Sequence, residues 1–216
     1  MVFQIQKLYG MISKRDKKIF AVTFVAVFLT HAYRLLTYIP NHDSFFSFYD
    51  KQDVILLGRW SLTYAAGISS YFDTQWLCGL LSLIYISITA VIVIHMLDIR
   101  NSFLCYVAGI IIGVYPSVVC TFTYMYTADA YMLAMLTAAF AAWAMVSDNW
   151  KKRLGGSVLL GVGMGIYQAY LSFTMLLLLI WLIKRVLIEK ECKIGRYVFN
   201  MTYSGLLGGV FMALVC

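Results

Sequence analysis

The sequence predicts an all-α, polytopic membrane bundle with about seven transmembrane helices, and three observations support this fold class. Hydrophobic residues make up 62% of the 216 residues and charged residues only 12%, whereas soluble domains carry roughly 25% charged residues. The mean hydropathy is +0.81. Several apolar runs reach the ~20 residues that a helix needs to cross a bilayer. These features exclude a solvated globular domain, a disordered tail and a fibrous repeat.

The predicted elements follow from the N-terminus. Residues 1–18 are basic and are predicted to lie on the cytoplasmic membrane surface, ahead of a transmembrane domain over 19–216. The first helix, near 19–33, has no small-residue cleavage site after it, which indicates a retained helix rather than a signal peptide. Further single helices are predicted over about 76–96, 103–121 and 131–146, and from 197 onwards.

The apolar stretch 154–183 is long for one helix and short for two, so charge has to decide between them. Basic residues flank both of its ends, at 151–153 and 184–185. A hairpin leaves 14 Lys and Arg on the cytoplasmic side and three outside, whereas a single pass gives nine and eight. The positive-inside rule therefore predicts two helices, with a bend near Tyr167, Gln168 and Tyr170. The last helix reaches Cys216 within an apolar run, so we expect the natural chain to continue.

Composition also limits the partners and cofactors. The net charge of +7 is explained by basic loops that face anionic membrane lipids, so no nucleic-acid partner is predicted. Five cysteines without a CxxC pair or a Cys/His cluster predict neither a disulfide framework nor a zinc site. No nucleotide-binding motif or nucleophile elbow is present. We predict no cofactor, with a divalent cation left open.

The long outer loop, about 34–75, carries the first candidate residues. Connections of this length are uncommon without a function, and an ionisable group at the membrane interface is costly unless it is paired or faces water. Asp43 in this loop and Asp129 in the predicted second loop, 121–130, are therefore candidates. The other acids of the first loop, Asp50, Asp53 and Asp73, have the pattern of ordinary loop or capping residues.

Arg59 stands in the run Leu57-Gly58-Arg59-Trp60. A guanidinium binds phosphate oxygens in a bidentate manner and remains charged at any relevant pH. The alternatives are an arginine that contacts lipid headgroups and one that pairs with Asp53. Trp60 and the nearby tyrosines are candidates for stacking on sugar rings, with membrane-interface anchors as the alternative.

Two histidines and two glycine pairs are predicted to serve packing rather than chemistry. His31 and His95 lie near helix ends and are predicted to be packing residues. Two glycine pairs have the GxxxG spacing that permits close helix contacts: Gly161 with Gly165, and Gly205 with Gly209.

Four short motifs together resemble the bacterial integral-membrane glucosyltransferase domain family, which modifies O-antigen and related surface polysaccharides. They are Asn41-His42-Asp43-Ser44, Gly58-Arg59-Trp60, the stretch 122–131 with Tyr126 and Asp129, and Gly165-Ile166-Tyr167-Gln168-Ala169-Tyr170. The resemblance covers most of the chain, and its motifs fall on the outer face of the predicted topology.

The resemblance implies a GT-C-type fold in the bacterial plasma membrane, with the active site on the non-cytoplasmic side. A polyprenyl-phosphate sugar would be the donor, and a polysaccharide or lipid-linked sugar the acceptor. Asp43 and Asp129 match the family's loop acids, and Arg59 matches the cation of the GRW element. Substrate-binding positions are assigned to His42, Trp60, Tyr126, Tyr167 and Gln168.

These positions suit glycosyl transfer, which needs a base for the acceptor proton and a stabiliser for the departing phosphate. We assign Asp43 as general base and Arg59 as phosphate stabiliser. Asp129 has three alternative roles: orienting the acceptor, holding Arg59 or binding a divalent ion. Rival interpretations of the whole chain are a lipid-linked sugar transporter or flippase, and a non-catalytic membrane assembly subunit.

Overall fold

The computed structural model describes residues 13–46, 57–69, 74–188 and 194–216. Asp50, Asp53, Asp73 and residues 1–12 lie outside these ranges. The described ranges contain ten α-helices and a 3-10 turn at Gly67–Ser69. The helices are α1 (Lys14–Leu36), α2 (His42–Phe46), α3 (Leu62–Ala66), α4 (Gln75–Met96), α5 (Ser102–Val114), α6 (Pro116–Thr121), α7 (Met125–Met145), α8 (Trp150–Ile166), α9 (Tyr170–Leu187) and α10 (Ile194–Val215).

The predicted all-helical membrane bundle is confirmed. Six helical segments are long and apolar enough to cross a membrane, and α5 and α6 together form one of them. Helix α8 has 17 residues, which span about 26 Å, slightly less than the ~30 Å hydrocarbon core.

The stretch 154–183 forms a hairpin, as charge predicted. Helix α8 ends at Ile166, helix α9 begins at Tyr170, and the two pack against each other. Consequently the basic clusters at 151–153 and 184–185 lie at one end of the bundle, together with the start of α1; we call this the basic end. The opposite end, with Asp43 and Arg59, is called the site end.

Helix α1 begins at Lys14, five residues before the predicted start. The Ser13 hydroxyl accepts a hydrogen bond from the backbone N–H of Asp16 at 3.1 Å, and Asp16 places a carboxylate in the first turn. An N-cap and an acid at this position both stabilise a helix start. Residues 14–18 therefore belong to the first helix, which starts earlier than the sequence predicted.

Helix α7 begins at Met125, six residues before the predicted start, so Asp129 lies in a helix and not in a loop. Its first turns contain Tyr126, Thr127 and Asp129, all of which are buried. Hydropathy placed the start too late because it scores these side chains as polar. In the structure, neighbouring helices enclose them. Helix α7 is the centre of the bundle: 78% of its span is buried, compared with 17% for α10.

A proline divides the helix predicted over 103–121. Pro116 is the first residue of α6, where its missing N–H would have no helical partner, and Tyr115 before it is extended, with ψ of 138°. The chain thus changes direction at Tyr115, and α5 and α6 form one wall of the cavity described below.

Glycines of α8 and α10 lie in close contact with each other. A Cβ added to Gly161 would lie 2.9 Å from the carbonyl oxygen of Gly208, so α8 and α10 approach closely there. A Cβ added to Gly209 would meet nothing within 4 Å. The α8–α10 contact therefore involves Gly208, and neither residue of the Gly205/Gly209 pair makes it.

Candidate functional site

A cavity of about 810 Å³ opens at the site end, between α5–α6 and the helices α7 and α9. Asp43 and Arg59 both line it, so the structure brings together the two charged residues on which the sequence hypothesis depends. Six tyrosines form much of its wall: Tyr115, Tyr124, Tyr126, Tyr131, Tyr167 and Tyr170. Towards the middle of the bundle the lining becomes apolar, with Ile111, Ile112, Met135, Phe173 and Leu176.

A capping turn presents Asp43 to the cavity. The side chain of Asn41 accepts a hydrogen bond from the backbone N–H of Asp43 at 3.1 Å, and the Ser44 hydroxyl donates to the Asn41 carbonyl at 2.7 Å. This explains locally why the Asn-His-Asp-Ser run starts α2. The Asp43 side chain is 44% exposed, and His42 lies 3.6 Å away with 81% exposure. Asp43 is therefore accessible to a substrate hydroxyl.

The turn that carries Arg59 is fastened to the α8–α9 hairpin. Gly58 adopts φ of +74°, in the left-handed region that glycine tolerates best. The Gln168 side-chain amide donates to the Leu57 carbonyl at 3.1 Å, and the Ser61 backbone N–H donates to the Gly165 carbonyl at 3.0 Å. Two motifs that are about 100 residues apart in the sequence thus form one unit.

Arg59 packs on the tyrosines of the cavity wall. Its guanidinium carbon is 5.0 Å from the Tyr167 ring centroid, a cation–π distance. The Tyr167 ring lies 4.8 Å from that of Tyr131 and 6.1 Å from that of Tyr170. Among the residues that the structure describes, no carboxylate forms a salt bridge with Arg59. Because Arg59 lines the cavity, its guanidinium makes this region suitable for an anionic group such as a phosphate.

The predicted substrate-binding residues divide into two groups. Tyr126 and Tyr167 line the cavity, as such a role requires. Trp60 packs against Gly165, where an added Cβ would lie 2.5 Å from the indole nitrogen. Neither Trp60 nor Gln168 nor His42 is among the residues that line the cavity. Trp60 and Gln168 hold the Arg59 turn in place, because their partners belong to that turn and to the hairpin.

Asp129 is separated from Asp43 and Arg59. It is 1% exposed, it is not among the cavity-lining residues, and its carboxyl group lies near Ser69 of the 3-10 turn. Tyr131 lines the cavity and lies about 200° around the helix axis from Asp129, but Tyr126, three residues before Asp129, lines it too. Burial among neighbouring helices, and not the rotation of α7 alone, therefore keeps Asp129 out of the cavity lining. In the described ranges no group of three or more His, Cys, Asp or Glu could hold a metal ion.

Sequence reasoning missed Arg34, which it counted only as an outer cation. The Arg34 guanidinium donates to the carbonyls of Phe122 at 2.9 Å, Thr123 at 3.1 Å and Ile39. The available signal was an arginine near the end of an otherwise apolar helix, where charge is rare and usually has a specific partner. His31, one turn earlier, is the packing residue that the sequence predicted: it is 3% exposed and stacks on Phe122.

Comparison with known proteins finds one family. The model of the family described as Glucosyl transferase GtrII matches residues 32–216, a range that includes every residue lining the cavity. No curated protein and no solved structure matches the chain.

Proposed function

The chain belongs to the GtrII glucosyltransferase family, and from this premise we propose that it transfers glucose from a polyprenyl-phosphate donor to a surface polysaccharide. The reaction would take place on the non-cytoplasmic face of the bacterial plasma membrane. One observation carries the proposal: a single cavity joins Asp43 and Arg59 at the site end to an apolar region between helices.

The lining of the cavity supports a lipid-linked donor. Ile111 and Leu176 line it, yet they are 55% and 53% exposed on the surface of helices that are apolar enough to span a membrane. Exposed apolar residues of this kind support a cavity whose inner part opens towards the hydrocarbon of the bilayer. A donor with a long apolar chain and a phosphate can therefore enter from the side, with its phosphate near Arg59 and its chain among lipids.

The proposed reaction is a displacement at the anomeric carbon. An acceptor hydroxyl forms the new bond to C1 while the C1–O bond to phosphate breaks, and the electron pair leaves with the polyprenyl phosphate. The hydroxyl proton passes to the Asp43 carboxylate, a step worth typically 10²–10⁴-fold in rate. Arg59 stabilises the charge that develops on the leaving phosphate, and this effect is stronger where the cavity excludes water.

The proposed roles lead to a stereochemical expectation. Asp43 lines the cavity and is assigned as the base for the acceptor hydroxyl, so the acceptor itself attacks C1. A double displacement with retention instead uses a carboxylate as nucleophile. We therefore expect a single displacement, in which the transferred glucose has the anomeric configuration opposite to that of the donor.

Asp43→Asn tests the proposed base. Sugar transfer is measured in membranes with a radiolabelled polyprenyl-phosphate glucose donor and the natural acceptor, at matched protein levels. We expect kcat to fall about 10²–10⁴-fold. Asp98→Asn is a matched control, because Asp98 is 52% exposed at the basic end and its pKa is lowered chiefly by a hydrogen bond from Arg100. Full activity of Asp43→Asn would exclude Asp43 as base.

The proposed orientation is tested separately. Single cysteines replace Tyr64, which is 78% exposed at the site end, and Lys152 at the basic end, in a background without other exposed cysteines. A membrane-impermeant maleimide applied to intact cells should label only the cysteine at position 64. Labelling of both positions, or of position 152 alone, would contradict the orientation.

A further inference from the structure

Arg34 connects two chain segments that are more than 80 residues apart. It lies two residues before the last residue of α1, Leu36. Its Nε and Nη2 donate to the Phe122 and Thr123 carbonyls at 2.9 and 3.1 Å. The remaining Nη1 donates to the Ile39 carbonyl. Three carbonyls on two segments thus share one planar guanidinium, whose donors point in fixed directions.

Each of these segments leads directly to a wall of the cavity. Ile39 is followed by Pro40, which restricts the backbone, and by Asn41, which caps the helix that carries Asp43. Thr123 is followed by Tyr124, and both Tyr124 and Asp43 line the cavity. Arg34 therefore joins the segment that leads to Asp43 and the segment that leads to Tyr124.

His31 holds the same turn from a second direction. Its ring stacks on that of Phe122 with centroids 3.9 Å apart and an interplanar angle of 14°. Its Nε2 lies 3.2 Å from the Gly113 carbonyl oxygen, and because a carbonyl only accepts, the ring donates this bond. The Phe122 side chain is thus fixed by His31, which leaves the adjacent carbonyls in reach of Arg34.

We propose that Arg34 is a positioning residue for sugar transfer, which sets the Asp43 carboxylate against the tyrosine wall by bridging the Ile39 carbonyl to the Phe122–Thr123 turn. This inference rests on the proposed function of Asp43. Misplacement of a reacting group by about 1 Å can cost about 10²-fold in rate. Lysine keeps the charge, but its three N–H donors share one nitrogen at the end of a flexible stem, so it is not expected to reach all three carbonyls at once.

The test uses Arg34→Lys and Arg34→Gln in the full chain, with Arg15→Lys as the matched control. Arg15 is a part-buried arginine near the other end of the same helix, and it donates to the Ile99 carbonyl and to the Cys105 sulfur. Three quantities are measured: hydrogen exchange of peptides covering 37–46 and 120–127, thermal stability, and kcat and KM for sugar transfer.

We expect both Arg34 variants to exchange faster in both peptides, with kcat about 10²-fold lower and KM little changed. Arg15→Lys is expected to lower thermal stability without these local effects. The proposal is overturned if exchange increases in neither peptide or in only one, or if kcat per folded molecule stays at the wild-type value. If the wild-type chain transfers no sugar, the proposed function fails, while the exchange data still decide whether Arg34 joins the two segments.

Discussion

Replacing Gly58 with alanine is expected to disorder the Arg59 turn while the helical bundle stays folded. Gly58 has φ of +74°, and an added Cβ would lie 2.5 Å from the Gln168 side-chain nitrogen. A left-handed backbone costs a non-glycine residue about 1–2 kcal/mol. Gln168 must also move, which removes its hydrogen bond to Leu57 and costs about 1 kcal/mol. The sum of about 2–3 kcal/mol corresponds to about 30- to 140-fold in the population of the native turn.

Gly67→Ala is the matched control for this change. Gly67 follows α3 in the same region with φ of −62°, and a Cβ added there would meet nothing within 4 Å. Alanine at such a position is tolerated or slightly stabilising, because it reduces the freedom of the unfolded chain. Sugar transfer and thermal stability of both variants are compared with those of the wild type in the same membranes.

Gly58→Ala should reduce transfer by up to the factor given above and change the unfolding temperature only slightly, because the turn lies at the edge of the bundle. Gly67→Ala should match the wild type in both measurements. If the two variants have equal activity, a left-handed turn at position 58 is unnecessary, and the account of how Arg59 is positioned is wrong.

Three further predictions follow from the same contacts. Trp60→Phe should keep KM and stability close to wild type, because the indole nitrogen is buried without a hydrogen-bond partner among the described residues and Trp60 does not line the cavity. Gly161→Leu should detach α10 from α8 and lower thermal stability, since the added Cβ would lie 2.5 Å from Phe211; Gly209→Leu, on open space, should not. Asp129→Asn should reduce kcat much less than the loss expected for the Asp43 variant, because Asp129 is buried and is not among the residues that line the cavity.

Each of these expectations has a clear opposite outcome. A large rise in KM for the sugar acceptor in Trp60→Phe would show that Trp60 contributes to substrate binding. Equal unfolding temperatures for the two glycine variants would contradict the close α8–α10 contact. A loss of kcat for Asp129→Asn as large as that for Asp43→Asn, with normal expression and stability, would show that both acids take part in the reaction.

Some functional residues can be recognised from the sequence around them, whereas others depend on contacts with distant segments. Asp43 and Arg59 were found as a pair because both are charged residues in a connection between apolar segments, and charge next to hydrocarbon is costly wherever the chain folds. Pro116 divides the helix predicted over 103–121, because proline interrupts a helix wherever it occurs in the interior. This break could therefore also have been predicted from the sequence. Asp129 was misplaced because hydropathy cannot distinguish a polar residue in a loop from one enclosed by neighbouring helices.

The all-α class, the hairpin within 154–183, the family and the charged pair of the site follow from residue type, spacing and charge along the chain, so they could be predicted without a structure. Three facts required the folded chain: Asp129 is not part of the cavity lining, Trp60 packs against Gly165, and Arg34 bridges two segments. These facts depend on which helices surround a side chain and at what rotation. Helix packing sets that rotation through contacts between residues that are distant in the sequence.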